Sequence, residues 1–151
     1  MGFDVYALNP KTDKDSHIYF RANVWYWRPL WSFVEEICED DLSDFDKEAG
    51  HYNDGSKIPN ELSIIIGTKL KESLKNGQFD KFREEHENYK KTVPKDNCLI
   101  CHRNSLTPNP TCIKCEGTGF TDNIICAYQT DLELTKEFSD FCLNAGGFEI
   151  S

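Results

Sequence analysis

Apolar positions along the chain follow two kinds of period, which predict strands in some segments and helices in others. Alternation and β-forming residues predict short strands over residues 3–8, 123–128 and 148–150. Apolar residues at helical spacing predict helices over residues 29–38, 59–76, 78–91 and 131–145. We expect the three strands to form one small sheet, packed by the helices over 59–76 and 131–145.

Local signals at the helix ends agree with these boundaries. Pro29 suits the first turn of a helix, because its missing N–H is not needed there. Gly77 favours the end of the helix over 59–76. Residues 130–133 fit a capping box that opens the last helix. The pattern as a whole predicts a single α+β domain over residues 1–151, with a small sheet packed by three to four helices.

All three tryptophans fall within residues 18–31, together with two arginines. One interpretation is a core made of rings, because aromatic side chains bury much apolar area. The other is a ligand pocket, because tryptophan faces and arginine forks bind planar or anionic groups. The residues of such a pocket would be Arg21, Asn23, Trp25, Trp27 and Arg28. The sequence favours the core and leaves the pocket open, since buried arginines need charged partners.

Four cysteines form the strongest chemical motif in the chain. Cys98 and Cys101 make one C-x-x-C pair, and Cys112 and Cys115 make a second after ten residues. Two such pairs joined by a short polar loop are typical of a tetrahedral Zn²⁺ site. Four thiolates leave no open position, so the ion would be structural and would not activate water. The sequence therefore predicts a zinc knuckle within an inserted module over residues 96–120.

Other interpretations of the cysteines have less support. Redox-active thiols or disulfides are the alternatives, but no βαβ pattern surrounds the motif, and seven cysteines without a secretory signal fit a reducing cytosol. His102 could replace one sulfur, although four cysteines already fill the shell. Cys126 could also substitute, but it lies in an apolar run, which predicts a buried free cysteine.

The chain carries a net charge of −9, from 26 acidic and 17 basic residues. This balance opposes general binding to nucleic acid phosphates and attachment to anionic membranes. The chain has no run of about 18 apolar residues and no secretory signal at its start, so we expect a cytoplasmic location. Residues 35–54 contain nine acids and one lysine, which favours a solvated acidic loop over a calcium site or a surface for a basic partner.

Candidate catalytic residues are few and scattered. His51 and Asp54 lie in a turn segment, residues 51–55, that contains Asn-Asp-Gly, and they could form an acid–base or metal pair there. Asp4 and His17 could join them in a metal-assisted hydrolase that acts on phosphoesters. These four residues have no recognised spacing, so the sequence favours a turn over a catalytic site.

Several segments together form a distinctive pattern. The chain starts Met-Gly-Phe-Asp-Val-Tyr, continues with the block from Tyr19 to Trp31, has Cys-x-x-Cys-x-Gly-Thr-Gly over residues 112–119, and ends Gly-Gly-Phe-Glu-Ile before the last serine. This pattern resembles a family of small bacterial and phage proteins to which no activity is assigned. The resemblance implies a phage or bacterial cytoplasmic setting, and it transfers no catalytic residue.

The sequence favours binding over catalysis. A zinc-stabilised domain would present the aromatic and arginine block to a small anionic or planar ligand, or to a protein partner. In a phage setting the protein would sequester a nucleotide-like ligand or inhibit a host defence protein. The alternatives are the phosphoester hydrolase and a nucleic-acid adaptor, in which His102, Arg103 and Lys114 give the zinc loop positive character. The sequence does not predict the oligomeric state.

Overall fold

The computed structural model describes residues 1–101 and 108–151, which divide into two compact units. The first unit comprises Met1–Glu85 and Gln129–Ser151, and the second comprises His86–Tyr128. The cysteine segment is thus inserted into the sequence of the first unit, within a longer stretch than residues 96–120. That the whole chain acts as a single domain stays a prediction.

The described residues form six strands, six α-helices and one short 3₁₀ helix. In chain order these are β1 (Gly2–Ala7), α1 (Asp15–Ile18), β2 (Tyr19–Asn23), α2 (Val24–Ile37), α3 (Asp44–Ala49), β3 (Ser56–Ile58), α4 (Asn60–Asn76), α5 (Gln78–Thr92), β4 (Asp96–Asn97), β5 (Phe120–Thr121), the 3₁₀ helix (Ile124–Ala127), α6 (Leu132–Asn144) and β6 (Phe148–Ile150). The predicted α+β fold is confirmed. None of these helices is both long enough and apolar enough to cross a bilayer.

The sheet of the first unit is antiparallel throughout, in the order β2-β1-β6-β3. The first and last strands of the chain are therefore its two central strands. Side chains alternate between the two faces, so Phe3, Val5 and Phe20 are buried whereas Tyr6 and Tyr19 are exposed. The helices pack on the buried face, and the other face carries polar and tyrosine side chains.

Trp27 lies at the centre of the core and has no exposed surface. Its ring stacks between the rings of Phe3 and Trp31, at centroid distances of 5.1 and 5.5 Å. Phe138 of α6 meets the same ring edge-on at 5.4 Å. The indole N–H of Trp27 donates to the carbonyl oxygen of Gly50 at 2.7 Å, so burial leaves no unsatisfied donor. Aromatic rings thus fill the space between the sheet and the helices.

The aromatic block folds as a strand followed by a helix. Alternating burial of Phe20 and Ala22 identifies β2, a strand that the sequence analysis did not predict. The next helix begins at Val24, five residues before the predicted start at Pro29. Asn23 explains this start, because its side chain accepts a hydrogen bond from the N–H of Trp25 at 3.0 Å.

Pro29 therefore lies inside α2, where a proline normally disrupts the helix. With no N–H, it cannot donate to the carbonyl oxygen of Trp25 one turn earlier. The N–H of Gln129 donates to that oxygen instead, at 2.9 Å. A tertiary hydrogen bond thus satisfies the acceptor that the proline leaves open.

Helices α4 and α6 pack closely because small residues lie where they meet. The hydroxyl of Ser139 donates to the carbonyl oxygen of Gly67 at 2.8 Å, and the hydroxyl of Ser63 donates to that of Cys142 at 2.7 Å. A Cβ on Gly67 would lie 2.9 Å from the carbonyl oxygen of Ser139. These two helices therefore pack against each other through residues without bulk. Against the sheet, α6 packs as predicted, and α2 packs there as well.

The ends of these two helices differ in how well the sequence predicts them. Gly77 follows the last residue of α4 with a left-handed φ of 85°, as expected. The first turn of α6 is capped by Asp131, whose side chain accepts from the N–H of Leu134 at 2.7 Å. The predicted cap at Thr130 is therefore one residue too early, since a carboxylate is favoured near a helix N-terminus.

Two further segments differ from the predicted elements. Residues 123–128, predicted as a strand of the main sheet, contain the 3₁₀ helix instead. The Asn123 side chain accepts from the N–H of Ile125 at 2.9 Å, a local bond that competes with strand formation. Within the acidic segment predicted as a loop, Ser43 and Asp46 form a capping box that opens α3.

Replacement of Gly50 by alanine should destabilise the first unit. The added Cβ would lie 1.9 Å from the ring of Trp31, which is held by its own N–H bond to the carbonyl of Lys47 at 2.9 Å. We expect the free energy of unfolding to fall by about 1–3 kcal/mol, measured by urea denaturation with tryptophan fluorescence. Ser32→Ala, at an exposed position of α2, is the control and should change stability by less than about 0.5 kcal/mol. Equal stability of Gly50→Ala and the parent chain would contradict this packing.

Candidate metal centre

Four cysteine thiols converge in the second unit. The Sγ atoms of Cys98, Cys101, Cys112 and Cys115 all lie within 4.8 Å of one another. The Sγ atoms of Cys98 and Cys112 are 3.8 Å apart, and those of Cys101 and Cys115 are 3.7 Å apart. In the part of the chain that the structure describes, no other group of three or more His, Cys, Asp or Glu side chains is close enough to share an ion. The arrangement is compatible with a metal site.

The pairing of β4 with β5 fixes the two ends of the cysteine segment. Asn97 pairs with Phe120, and directly after it the N–H of Cys98 donates to the carbonyl oxygen of Gly119 at 2.8 Å. The N–H of Gly119 in turn donates to the Sγ of Cys115 at 3.2 Å. Gly119 therefore connects the first C-x-x-C turn to the second through its own backbone.

The turn after Cys115 needs left-handed backbone angles. The φ angles are 53° at Glu116, 80° at Gly117 and 80° at Gly119. Such angles favour glycine, and glycine occupies two of these three positions. A Cβ on Gly117 would also lie 2.7 Å from the carbonyl oxygen of Pro110. The Gly-Thr-Gly element is thus explained by the close path of the chain around the thiols.

The thiols of Cys115 and Cys101 have pKa values shifted in opposite directions. Burial raises the pKa of Cys115, but the N–H of Gly119 and the neighbouring thiols outweigh burial and lower that pKa to about 7. The backbone N–H of Asn109 favours the thiolate of Cys101, yet burial and the other three thiols raise the pKa of Cys101 to about 11. One thiolate forms readily and opposes the ionisation of a second. A cation between the sulfurs would stabilise all of the thiolates together.

Cys126, one of the two predicted alternative ligands, takes no part in this cluster of described residues. The thiol of Cys126 lies 3.8 Å from the carbonyl oxygen of Lys90, outside the four-cysteine group. Cys126 is also half-buried, where the sequence predicted a buried side chain. His102 and Arg103 lie outside the described residues.

The aromatic block contributes to the core and to a helix cap more than to a surface. Trp27 is fully buried, and Asn23 caps α2. Arg21 lies on the open face of the sheet, with its Nε 3.5 Å from a carboxylate oxygen of Asp4. Trp27 and Arg21 thus lie on opposite faces of the sheet, and Trp27 has no surface to offer a ligand. A binding role for the half-buried Trp25 and Arg28 stays a prediction.

His51 and Asp54 each contact a different partner. The Nε2 of His51 lies 3.0 Å from a carboxylate oxygen of Glu35. A carboxylate oxygen of Asp54 accepts from the hydroxyl and the N–H of Ser56, at 2.6 and 3.0 Å. Both hydrogen bonds lower the pKa of Asp54, and the bond from the Ser56 hydroxyl has the larger effect. Such bonds are typical of an aspartate that stabilises a turn. The contacts of Asp54 agree with the turn interpretation.

His17 and Asp4 are likewise held by separate groups. The Nδ1 of His17 lies 2.7 Å from the hydroxyl of Thr12, and its Nε2 lies 2.9 Å from a carboxylate oxygen of Asp140. The Asp4 carboxylate accepts from the hydroxyl of Tyr19. Sequence reasoning missed the contact with Asp140, because 123 residues separate it from His17 and no local spacing signals it.

Replacement of Cys98 by serine should abolish tight metal binding. A serine hydroxyl does not ionise near neutral pH, so the site would lose one of its four anionic ligands. We expect the bound metal to fall from about one ion per chain to nearly none, measured by inductively coupled plasma mass spectrometry after gel filtration. Cys126→Ser removes a thiol outside the cluster and should keep the full metal content. Equal metal loss in both variants would contradict the assigned site.

No protein-family model matches the chain, and neither a curated protein nor a solved structure matches it. The family resemblance drawn from the sequence motifs therefore stays a prediction. Among the described residues of the chain, the four-cysteine cluster is the arrangement with a defined chemistry.

Proposed function

We propose that the four cysteines bind one structural Zn²⁺ ion. In a tetrahedral site with Zn–S bonds of about 2.3 Å, neighbouring sulfurs lie about 3.8 Å apart. The Sγ separations of 3.8 and 3.7 Å agree with this value, and this agreement carries the proposal. Thiolates are soft ligands that favour Zn²⁺ over Mg²⁺ or Ca²⁺. Four sulfurs also leave no position for a substrate or a reactive water.

The ion would take the place of a hydrophobic core in the second unit. In the described part of this unit, the buried hydrophobic cluster consists of the cysteines themselves. The apolar residues within the two C-x-x-C pairs are exposed, with Leu99 at 83%, Ile100 at 69% and Ile113 at 96%. So small an apolar core cannot stabilise a segment of this length, and metal binding supplies the missing folding free energy.

The proposed role of the whole chain is binding rather than catalysis. Two observations support it: the candidate acid and base side chains contact separate partners, and the four-sulfur site has no open position. The net charge of −9 favours a basic or neutral protein partner, or a small ligand, over nucleic acid. On the family resemblance, we propose a phage or bacterial protein that inhibits a host protein or sequesters a nucleotide-like ligand in the cytoplasm.

Removal of zinc should unfold the second unit and leave the first unit folded. All three tryptophans lie in the first unit, so their emission reports on that unit alone. After treatment with EDTA under reducing conditions, we expect rapid proteolysis between residues 93 and 123. We also expect unchanged tryptophan emission, and a free energy of unfolding of the first unit that changes by less than about 0.5 kcal/mol. Mass spectrometry of the fragments and fluorescence-monitored urea titration measure the two effects.

Metal re-addition provides the control for this experiment. Zn²⁺ should restore protection from proteolysis, whereas Mg²⁺ should not, because it prefers oxygen ligands and octahedral geometry. Protein purified without chelators that contains no zinc would contradict the proposal. A tryptophan emission that shifts before the cysteine segment is cleaved would contradict the separate stability of the two units.

A further inference from the structure

Strand β2 is an edge of the four-stranded sheet, with β1 on one side only. Asp4 of β1 exchanges two backbone hydrogen bonds with Ser151 on its other side, both at 2.8 Å. In an antiparallel ladder successive residues point their N–H and C=O to alternate sides, so Phe3 and Val5 bond towards β2. The facing residue of Asp4 is Arg21, whose N–H and C=O therefore point away from the sheet.

The backbone of Arg21 is thus an open hydrogen-bonding position. Among the hydrogen bonds of residues 1–101 and 108–151, none reaches the N–H or C=O of Arg21 from outside the sheet. An edge residue of this kind can exchange two bonds with an added antiparallel strand. The same alternation directs the C=O of Tyr19 and the N–H of Asn23 to the same side.

A groove of about 420 Å³ runs beside this edge, between β2 and α6. It is lined from the strand by Tyr19, Phe20 and Arg21, from the start of α1 by Lys14 and Ser16, and from α6 by Glu137 and Asp140. The charge of Arg21 is already paired, because its Nε lies 3.5 Å from a carboxylate oxygen of Asp4. Side chains of an added strand alternate between the two faces, and those on the Phe20 side would enter this groove. A site that binds a peptide as an added strand needs two parts. The strand edge would supply backbone hydrogen bonds for affinity, and the groove would select among the side chains of the peptide.

The charges of the groove indicate the side chain that it accepts. Asp140 already contacts His17 at 2.9 Å and Lys14 at 3.8 Å. Glu137 is exposed, and none of the ion pairs found in the described chain includes it. An unpaired carboxylate at the wall of a groove, in a chain with a net charge of −9, complements a lysine or arginine.

We propose that β2 binds an extended peptide segment of a partner protein, added antiparallel at Arg21, with a basic side chain in the groove beside Glu137. The proposal deepens the binding role assigned to the chain, and it is independent of the zinc site. It uses only residues of the first unit. The partner's backbone exchanges bonds with Arg21, and its basic residue sets the selectivity.

A displayed library of random linear peptides, panned against the full zinc-loaded chain, is the probe. We expect enrichment of peptides with one lysine or arginine flanked by β-forming residues. Selected peptides should protect the Arg21 amide from hydrogen exchange. Arg21→Pro should weaken their binding about tenfold or more, because a peptide carbonyl loses its donor, while a proline whose N–H faces outward from an edge strand preserves the sheet. Arg21→Ala, which keeps the N–H, should bind within about threefold of the parent chain.

Glu137→Lys tests the groove without altering the strand. It should lower the affinity for the basic peptides about tenfold, whereas Glu72→Lys, an exposed position on α4 with the same change in net charge, should not. A lack of enriched peptides, equal binding to Arg21→Pro and Arg21→Ala, or equal effects of the two lysine variants would overturn the proposal. Stoichiometric zinc in a chain that selects no peptide would refute this inference alone. A chain that selects peptides but contains no zinc after purification without chelators would refute the zinc proposal alone.

Discussion

Four sulfur atoms within 4.8 Å of one another cannot all carry a negative charge unless a cation lies among them. This constraint governs the second unit, because the same four residues are its candidate metal ligands and, among its described residues, its buried cluster. The backbone around them is arranged accordingly. Gly119 bonds to both C-x-x-C turns, and Gly117 passes the carbonyl oxygen of Pro110 where a larger residue would not fit. In this segment, the residues that could bind a cation are thus also the residues that form the buried cluster.

The first unit obtains its stability in another way. Its core consists of stacked rings centred on Trp27, whose polar N–H is satisfied by a backbone carbonyl. Such a core buries a large area with few residues, which suits a chain of only 38% hydrophobic content. The aromatic block is therefore accounted for in large part by packing. The binding surface that we propose for this unit is the edge of its sheet, away from the buried tryptophans.

Signals that are local in sequence predicted the elements they govern. The C-x-x-C spacing predicted the thiol cluster, helical periodicity predicted α4, α5 and α6, and Gly77 marked the end of α4. The errors came where a side-chain bond or a distant partner decided the outcome. The side chain of Asn23 caps α2, so that helix begins before Pro29. The side chain of Asn123 caps the 3₁₀ helix that replaces the predicted strand. The contact of His17 with Asp140 joins residues too far apart for any pattern to reveal.

The hydrogen bond from Gln129 to the carbonyl of Trp25 lies where the chain returns to the first unit. A proline within a helix has created a fixed docking point for the returning backbone. Asp131, two residues further along the chain, caps α6, and that helix is followed by the final strand. Changes within the inserted segment that keep this hydrogen bond would therefore leave the closing helix and strand of the host unit in place.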